Sequence, residues 1–211
     1  MLAFAWSPVQ FFEARLRRRP NWALAFGFPI LCGLLDMVSV FILGGKNQVA
    51  LEQMLGPAMP PGAFQAARIS TVLTVAGYPT YFALTAMILA SLDALMHDSG
   101  RQRRLVEFAG VAFLAFIPSC VFMIGVALFW MPPAIGPVGG SLLDLEAATA
   151  RYLSGMHADP WLSTARLLYY FCLVWYVALL AVILRVAGAF SVRAAAGAAA
   201  AIFAGFSGFW R

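Results

Sequence analysis

The chain has 211 residues, 63% of them hydrophobic and 11% charged, and its mean hydropathy is +0.85. Such a composition excludes an ordinary soluble domain and predicts an integral membrane protein, with space for about four to six helical spans and no separate soluble domain. The formal charge of +5 would suggest nucleic acid in a soluble protein. Here the basic residues flank apolar runs, where orientation and anionic headgroups account for them, so no nucleic-acid partner is expected.

The opening stretch, MLAFAWSPVQFFEARLRRRP, predicts a short interfacial helix with Ser7 as its cap, Pro8 in the first turn, and Val9, Phe12 and Leu16 on one face. A frayed tail is the alternative. RLRRRP ahead of an apolar segment imitates a secretory signal, but the run from Trp22 to Leu43 exceeds a signal core and no small-x-small site precedes Gly44. It is therefore expected to remain as the first span. Apolar runs at 22–43, 71–96, 105–131, 167–186 and 189–210 can each cross a hydrocarbon core of roughly 30 Å. The expected fold is all-α: one polytopic domain over 1–211, a bundle of five transmembrane helices with short interfacial helices. The loops 44–70 and 132–165 are expected to hold short helices at VALEQML and SLLDLEAATARYL, whose periodicity is helical.

The last two runs raise a choice, since LRVAGAFSVR interrupts them with Arg185 and Arg193. A single helix over both would be roughly 66 Å long, about twice the bilayer core. Each central arginine would then cost about 2.5 to 3.5 kcal/mol. A break at Gly188 lets both guanidiniums reach one interface. In alternating loops, one side collects Arg15, Arg17, Arg18 and Arg19, then Arg101, Arg103 and Arg104, then Arg185 and Arg193; the other holds Lys46, Arg68, Arg151, Arg166 and Arg211. The positive-inside rule makes the first set cytoplasmic anchors, with the N-terminus inside and the end of the fifth span outside.

Candidate chemistry inside the spans centres on Asp36, an ionisable group in an apolar run. Thr74, Tyr78 and Tyr170 fall at comparable depth, as does Cys172, so a polar layer around one carboxylate is expected. It admits a proton or cation site and, alternatively, a helix-helix hydrogen bond or snorkelling of the carboxylate at the lipid edge. Pro79 and Pro118 are expected to interrupt the second and third spans, for packing or to frame a site. Gly197, Ala201 and Gly205, four apart, form a stripe for close helix approach, within the chain or to another.

Asp93, His97 and Asp98 predict an interfacial polar cluster, with Glu107 the one further ligand within reach, and no metal site is expected. His157 and Asp159 read as solvated loop residues. Cys32, Cys120 and Cys172 all fall in spans, which leaves no external disulfide framework. No HExxH helix, nucleophile elbow or Walker loop occurs, so neither a catalytic residue nor a cofactor is expected.

Several segments together resemble the Yip family, the Ypt-interacting proteins. They are SPVQFFEARLRRRPNWALAFGFPI at the entry, GYPTYFAL, FLAFIPSCVFMI, and VWYVALLAVILRVAGAFSVRAAAGAAAAI across the last two runs. The resemblance implies a five-span membrane core. Eukaryotic relatives carry a cytosolic N-terminal region associated with Rab-type GTPases. Residues 1–20 are too few for that region, so no Rab-type partner is expected. The reading is a short bacterial-type member in the inner membrane, a non-enzymatic factor that organises membrane or assembles with itself or other membrane proteins. The alternative is a transporter of a small solute, ion or lipid around Asp36.

Overall fold

The computed structural model of the protein describes residues 4, 7–55, 73, 76–96, 102–134, 142–188 and 190–209. Among them every regular element is helical. The helices are α1 (Pro8–Leu16), α2 (Trp22–Leu55), α3 (Gly77–Met96), α4 (Gln102–Ala112), α5 (Ile117–Phe129), α6 (Leu142–Ala158), α7 (Pro160–Val186) and α8 (Val192–Phe209). A 3-10 turn, Phe113–Phe116, joins α4 to α5. Three helical stretches among the described residues are long and apolar enough to cross a membrane: Trp22–Gln53, Arg103–Phe129 and Pro160–Val186.

Helix boundaries follow local chemistry. Pro8 occupies the first turn of α1, although the Ser7 side chain makes no capping bond. The 3-10 turn lies just ahead of Pro118, which brings no N–H to the helix; the tightened turn is the local response to that missing donor. Pro79, expected to interrupt a span, stands in the first turn of α3, where its missing donor costs nothing. VALEQML, expected as a separate loop helix, instead continues α2. SLLDLEAATARYL does lie largely in its own helix, α6. Asp159 stands between α6 and α7, outside either helix, and also caps α7: its carboxylate accepts from the backbone N–H of Trp161 at 2.8 Å and of Leu162 at 3.0 Å. The fourth apolar helix therefore begins at Pro160, ahead of the expected 167.

Between α7 and α8 the chain breaks where the arginines stand. The Phe190 N–H donates to the Leu184 carbonyl at 3.2 Å, and the Ser191 hydroxyl caps α8 by accepting from the Ala194 N–H at 3.3 Å. Arg185 and Arg193 are both exposed. Gly188 serves this break through space: a Cβ there would stand 2.6 Å from the Phe190 ring and 2.8 Å from the Leu184 oxygen.

The chain forms two compact units. Unit 1 comprises Met1–Cys32, Gly77–Ile117 and Phe171–Arg211; unit 2 comprises Gly33–Ala76 and Pro118–Tyr170. In unit 1, Phe12 of α1 is fully buried and its ring lies 4.9 Å from that of Phe108 on α4. Aromatic rings of Phe82, Phe113, Phe116 and Tyr176 continue this core. A close backbone approach joins α2 to α4. Pro29 lies inside α2 and leaves the Ala25 carbonyl without its usual helical donor. Gly110 sits against that carbonyl, and a Cβ on Gly110 would collide with its oxygen and come within 2.6 Å of the Ala25 Cα. Only a residue without a side chain fits there.

Unit 2 packs Val126, Trp130 and Ala165 with Leu43, Phe122, Met123, Met156 and Leu162. Gly155 admits Pro133, whose side chain would stand 3.0 Å from a Cβ at that position.

Apolar side chains also face outward. On α2 the exposed residues include Trp22, Phe26, Ile30, Leu34, Val38 and Phe41; on α7 they include Leu167, Phe171 and Val174. Spacing of three or four residues puts each set on one helical face. A water-facing helix carries polar residues on that face, whereas lipid favours these side chains.

Candidate functional site

Among the described residues, the most deeply buried charge lies in unit 1. Glu107 sits on α4 with its side chain 1% exposed, between Arg15 of α1 and Arg104 one helical turn away. Arg15 Nε and Nη2 donate to the same carboxylate oxygen, Oε1, at 2.9 and 2.8 Å. Arg104 Nη1 donates to Oε2 at 3.3 Å and reaches the Arg15 carbonyl at 3.5 Å. That carbonyl, at the end of α1, also accepts the Arg18 backbone N–H at 3.0 Å. Phe12 and Arg15, three apart on α1, thus deliver an aromatic ring and a cation to α4 on one face.

A carboxylate in such a place is costly unless paired, and the loss of one partner from a buried pair costs about 3 to 5 kcal/mol. Both Glu107 oxygens accept from guanidiniums, so the group holds α1 against α4. Two cations meet one anion, which leaves a local surplus of positive charge beside the exposed Arg17, Arg18, Arg19 and Arg103. Glu107, weighed from sequence as a possible extra ligand for Asp93, His97 and Asp98, is occupied by this pairing. The side chains of those three residues lie outside the described residues. Among the described residues no group of three or more His, Cys, Asp or Glu side chains is arranged to hold a metal.

The residues of the layer expected around Asp36 fall in both units. Asp36 is half-buried in unit 2, and its main-chain carbonyl accepts the Ser39 hydroxyl at 2.7 Å. Tyr78 belongs to unit 1, its ring edge-on to Phe113 and Phe116 at 6.2 and 5.5 Å. Tyr170 belongs to unit 2 but is 54% exposed, with its ring against Tyr169. Thr74 lies outside the described residues.

Other buried polar groups pair helix to helix. In unit 1 the fully buried Tyr176 hydroxyl donates to Thr85 at 3.3 Å, and the Cys32 thiol donates to the Phe113 carbonyl at 3.4 Å. All three cysteines are buried and none forms a disulfide. In unit 2 Lys46 Nζ donates to the Leu128 and Trp130 carbonyls at 2.8 and 2.7 Å, complementing the negative end of α5. The Tyr152 hydroxyl donates to Asn47 at 2.6 Å.

On α8 the side buried in unit 1 carries Ala195, Ala199 and Ile202. Gly197 and Ala201 face outward, and a Cβ on Gly197 would meet nothing within 4 Å. The side chain of Gly205 lies outside the described residues. At Gly197 the stripe therefore makes no close approach to a described residue.

The described cations sort by unit. Arg15, Arg17, Arg18, Arg19, Arg103, Arg104, Arg185 and Arg193 belong to unit 1, and Lys46, Arg151 and Arg166 to unit 2. Arg101 lies outside the described residues. No family model matches the chain, and no curated protein or solved structure matches it either. Fold and site together define an all-helical protein carrying helices fit for a membrane, with its deepest charge held between two helices.

Proposed function

We propose that the chain is a five-span protein of the bacterial inner membrane, of the Yip type, that organises membrane or assembles with other membrane proteins without catalysing a reaction. The observation that carries this reading is the Arg15–Glu107–Arg104 triad: the deepest charge holds an N-terminal helix in place and offers no free carboxylate oxygen to a substrate. The sorting of cations between the units supports a cytoplasmic face made by unit 1. α3 and α8, with 20 and 18 residues, supply the remaining two spans, and their apolar outer faces favour lipid or another membrane protein as partner.

Reporter fusions at the Arg101–Arg104 segment and after Trp210 test the topology: the first is expected inside and the second outside, and two cytoplasmic signals would refute five spans. Isolation from native membrane, with identification of the associated proteins and lipids, tests the assembly role. A transporter reading has one observation in its favour, the half-buried Asp36 on a helix apolar enough to cross a membrane. Solute-dependent proton flux in liposomes that is lost in Asp36→Asn would replace the assembly reading with this one.

A further inference from the structure

Unit 2 contains an open apolar groove of about 260 Å³, lined by Phe122, Gly125, Val126, Phe129, Trp130 and Trp161. Its walls come from α5 and the start of α7, in two of the stretches long and apolar enough to cross a membrane. Trp130 is itself 3% exposed, yet its indole Nε1–H is buried with no acceptor among the described residues. A buried indole normally finds an acceptor. The main-chain carbonyl of the same tryptophan holds the Lys46 ammonium. That ammonium has three donors and gives two of them to the Leu128 and Trp130 carbonyls, leaving the third for an anion.

From this set we infer that the groove is a binding site for one glycerophospholipid. An acyl chain lies along Phe122, Val126 and Phe129, an ester carbonyl accepts from Trp130 Nε1, and the phosphate meets Lys46. Each part of the lipid answers a separate feature of unit 2: hydrocarbon answers the apolar lining, a carbonyl the unpartnered N–H, and an anion the remaining ammonium donor. A peptide helix would satisfy the lining alone, since its carbonyls are already bonded within the helix. Indoles at a membrane interface commonly serve this double role of apolar body and polar tip. The inference rests on the membrane reading above and adds a defined lipid contact to it.

The test uses the full chain, purified in detergent, stripped of lipid and titrated with dioleoylphosphatidylglycerol, with bound lipid counted by native mass spectrometry. Gly125→Leu blocks the groove without disturbing the backbone, because a Cβ at Gly125 meets nothing within 4 Å. It should lower the affinity for the tightest lipid on the order of tenfold or more, as expected for losing an apolar side chain's worth of contact. Trp130→Phe, which keeps a ring but not the N–H, should lower it by about two- to tenfold. Gly197→Leu, in unit 1, should bind like the parent. Dioleoylglycerol, which lacks the phosphate, should bind more weakly than the phospholipid. Equal phospholipid binding by the parent and Gly125→Leu, or equal binding of the two lipids by the parent, would overturn the proposal. Retention in membranes after alkaline carbonate washing separates the two ideas: a protein that stays but binds lipid equally in all variants loses only the groove, whereas one that washes out loses the membrane reading.

Discussion

The two units hold their helices by different means. Unit 1 joins α1, α2 and α4 through contacts that admit no substitute: a carboxylate between two guanidiniums and a glycine pressed on a main-chain carbonyl. Unit 2 relies on a lysine reaching helix-end carbonyls, a tyrosine-asparagine hydrogen bond, and a core beside an apolar groove. The difference has a physical cause. Backbone contact and buried charge are unforgiving because neither can relax, whereas a flexible ammonium near solvent exchanges one acceptor for water. Unit 1 is therefore expected to be the brittle part and unit 2 the adaptable one.

Gly110→Ala should have the largest effect, because the added methyl meets backbone and no rotamer change relieves the collision. Overpacking of a core costs about 1 to 3 kcal/mol, and this site belongs at or above the upper end. Thermal unfolding of the detergent-extracted protein reads it. A melting temperature equal to the parent's would show that α2 and α4 part easily, and the contrast between the units would collapse.

Glu107→Ala comes next. It leaves Arg15 and Arg104 facing each other without an anion, at a cost of about 3 kcal/mol, the lower end for a broken buried pair because both arginines reach some solvent. Arg15→Ala should cost more than Arg104→Ala, since Arg15 makes the shorter contacts and forms the ion pair between α1 and α4. Protease sensitivity near Arg17–Arg19 should rise with it as α1 comes free. The reverse order of the two arginines would contradict the clamp.

In unit 2, Lys46→Met should cost only about 1 kcal/mol, through the loss of bonds to the last carbonyls of α5. A loss as large as that at Glu107 would make unit 2 equally brittle. Smallest of all, Gly197→Leu should change stability by less than about 0.5 kcal/mol, because its added side chain meets open space. If the variant instead alters the size of the complex extracted from membranes, the outward face of α8 carries a neighbour.

Much of the helical order was legible in the sequence, and the exceptions have specific causes. Hydrophobic runs marked the long helices because length and apolar content need no tertiary information. Arg185 and Arg193 marked the break after α7 because two charges in mid-span are too costly. The start of α7 is also written locally, in Asp159 followed by Pro160, but the continuous apolar run begins only after Arg166, so hydropathy alone places the start at Leu167. Gly44 and Gly45 made α2 look shorter than it is, since a glycine's weak helix propensity is overridden when the surrounding residues continue the helix.

The central site was less accessible. Arg104 and Glu107 are visibly one turn apart, but Arg15 lies 92 positions from Glu107, and nothing local links them. Asp36 attracted notice as a charge in mid-run, while Glu107, at the edge of its run and near arginines, resembled an ordinary interfacial residue. The role of Gly110 was equally hidden, because it depends on a carbonyl released by Pro29 in a different helix. Only folding brings those two residues to one place.

A double-mutant cycle on Arg15 and Glu107 tests the central claim most directly. Unfolding free energies would be measured in one detergent for the parent, Arg15→Ala, Glu107→Ala and the double variant. The clamp predicts that the double variant is less destabilised than the sum of the single ones, with a coupling of at least about 1 kcal/mol. Strict additivity, within about 0.3 kcal/mol, would show that the two residues act independently and that α1 is not held to α4 by this pair.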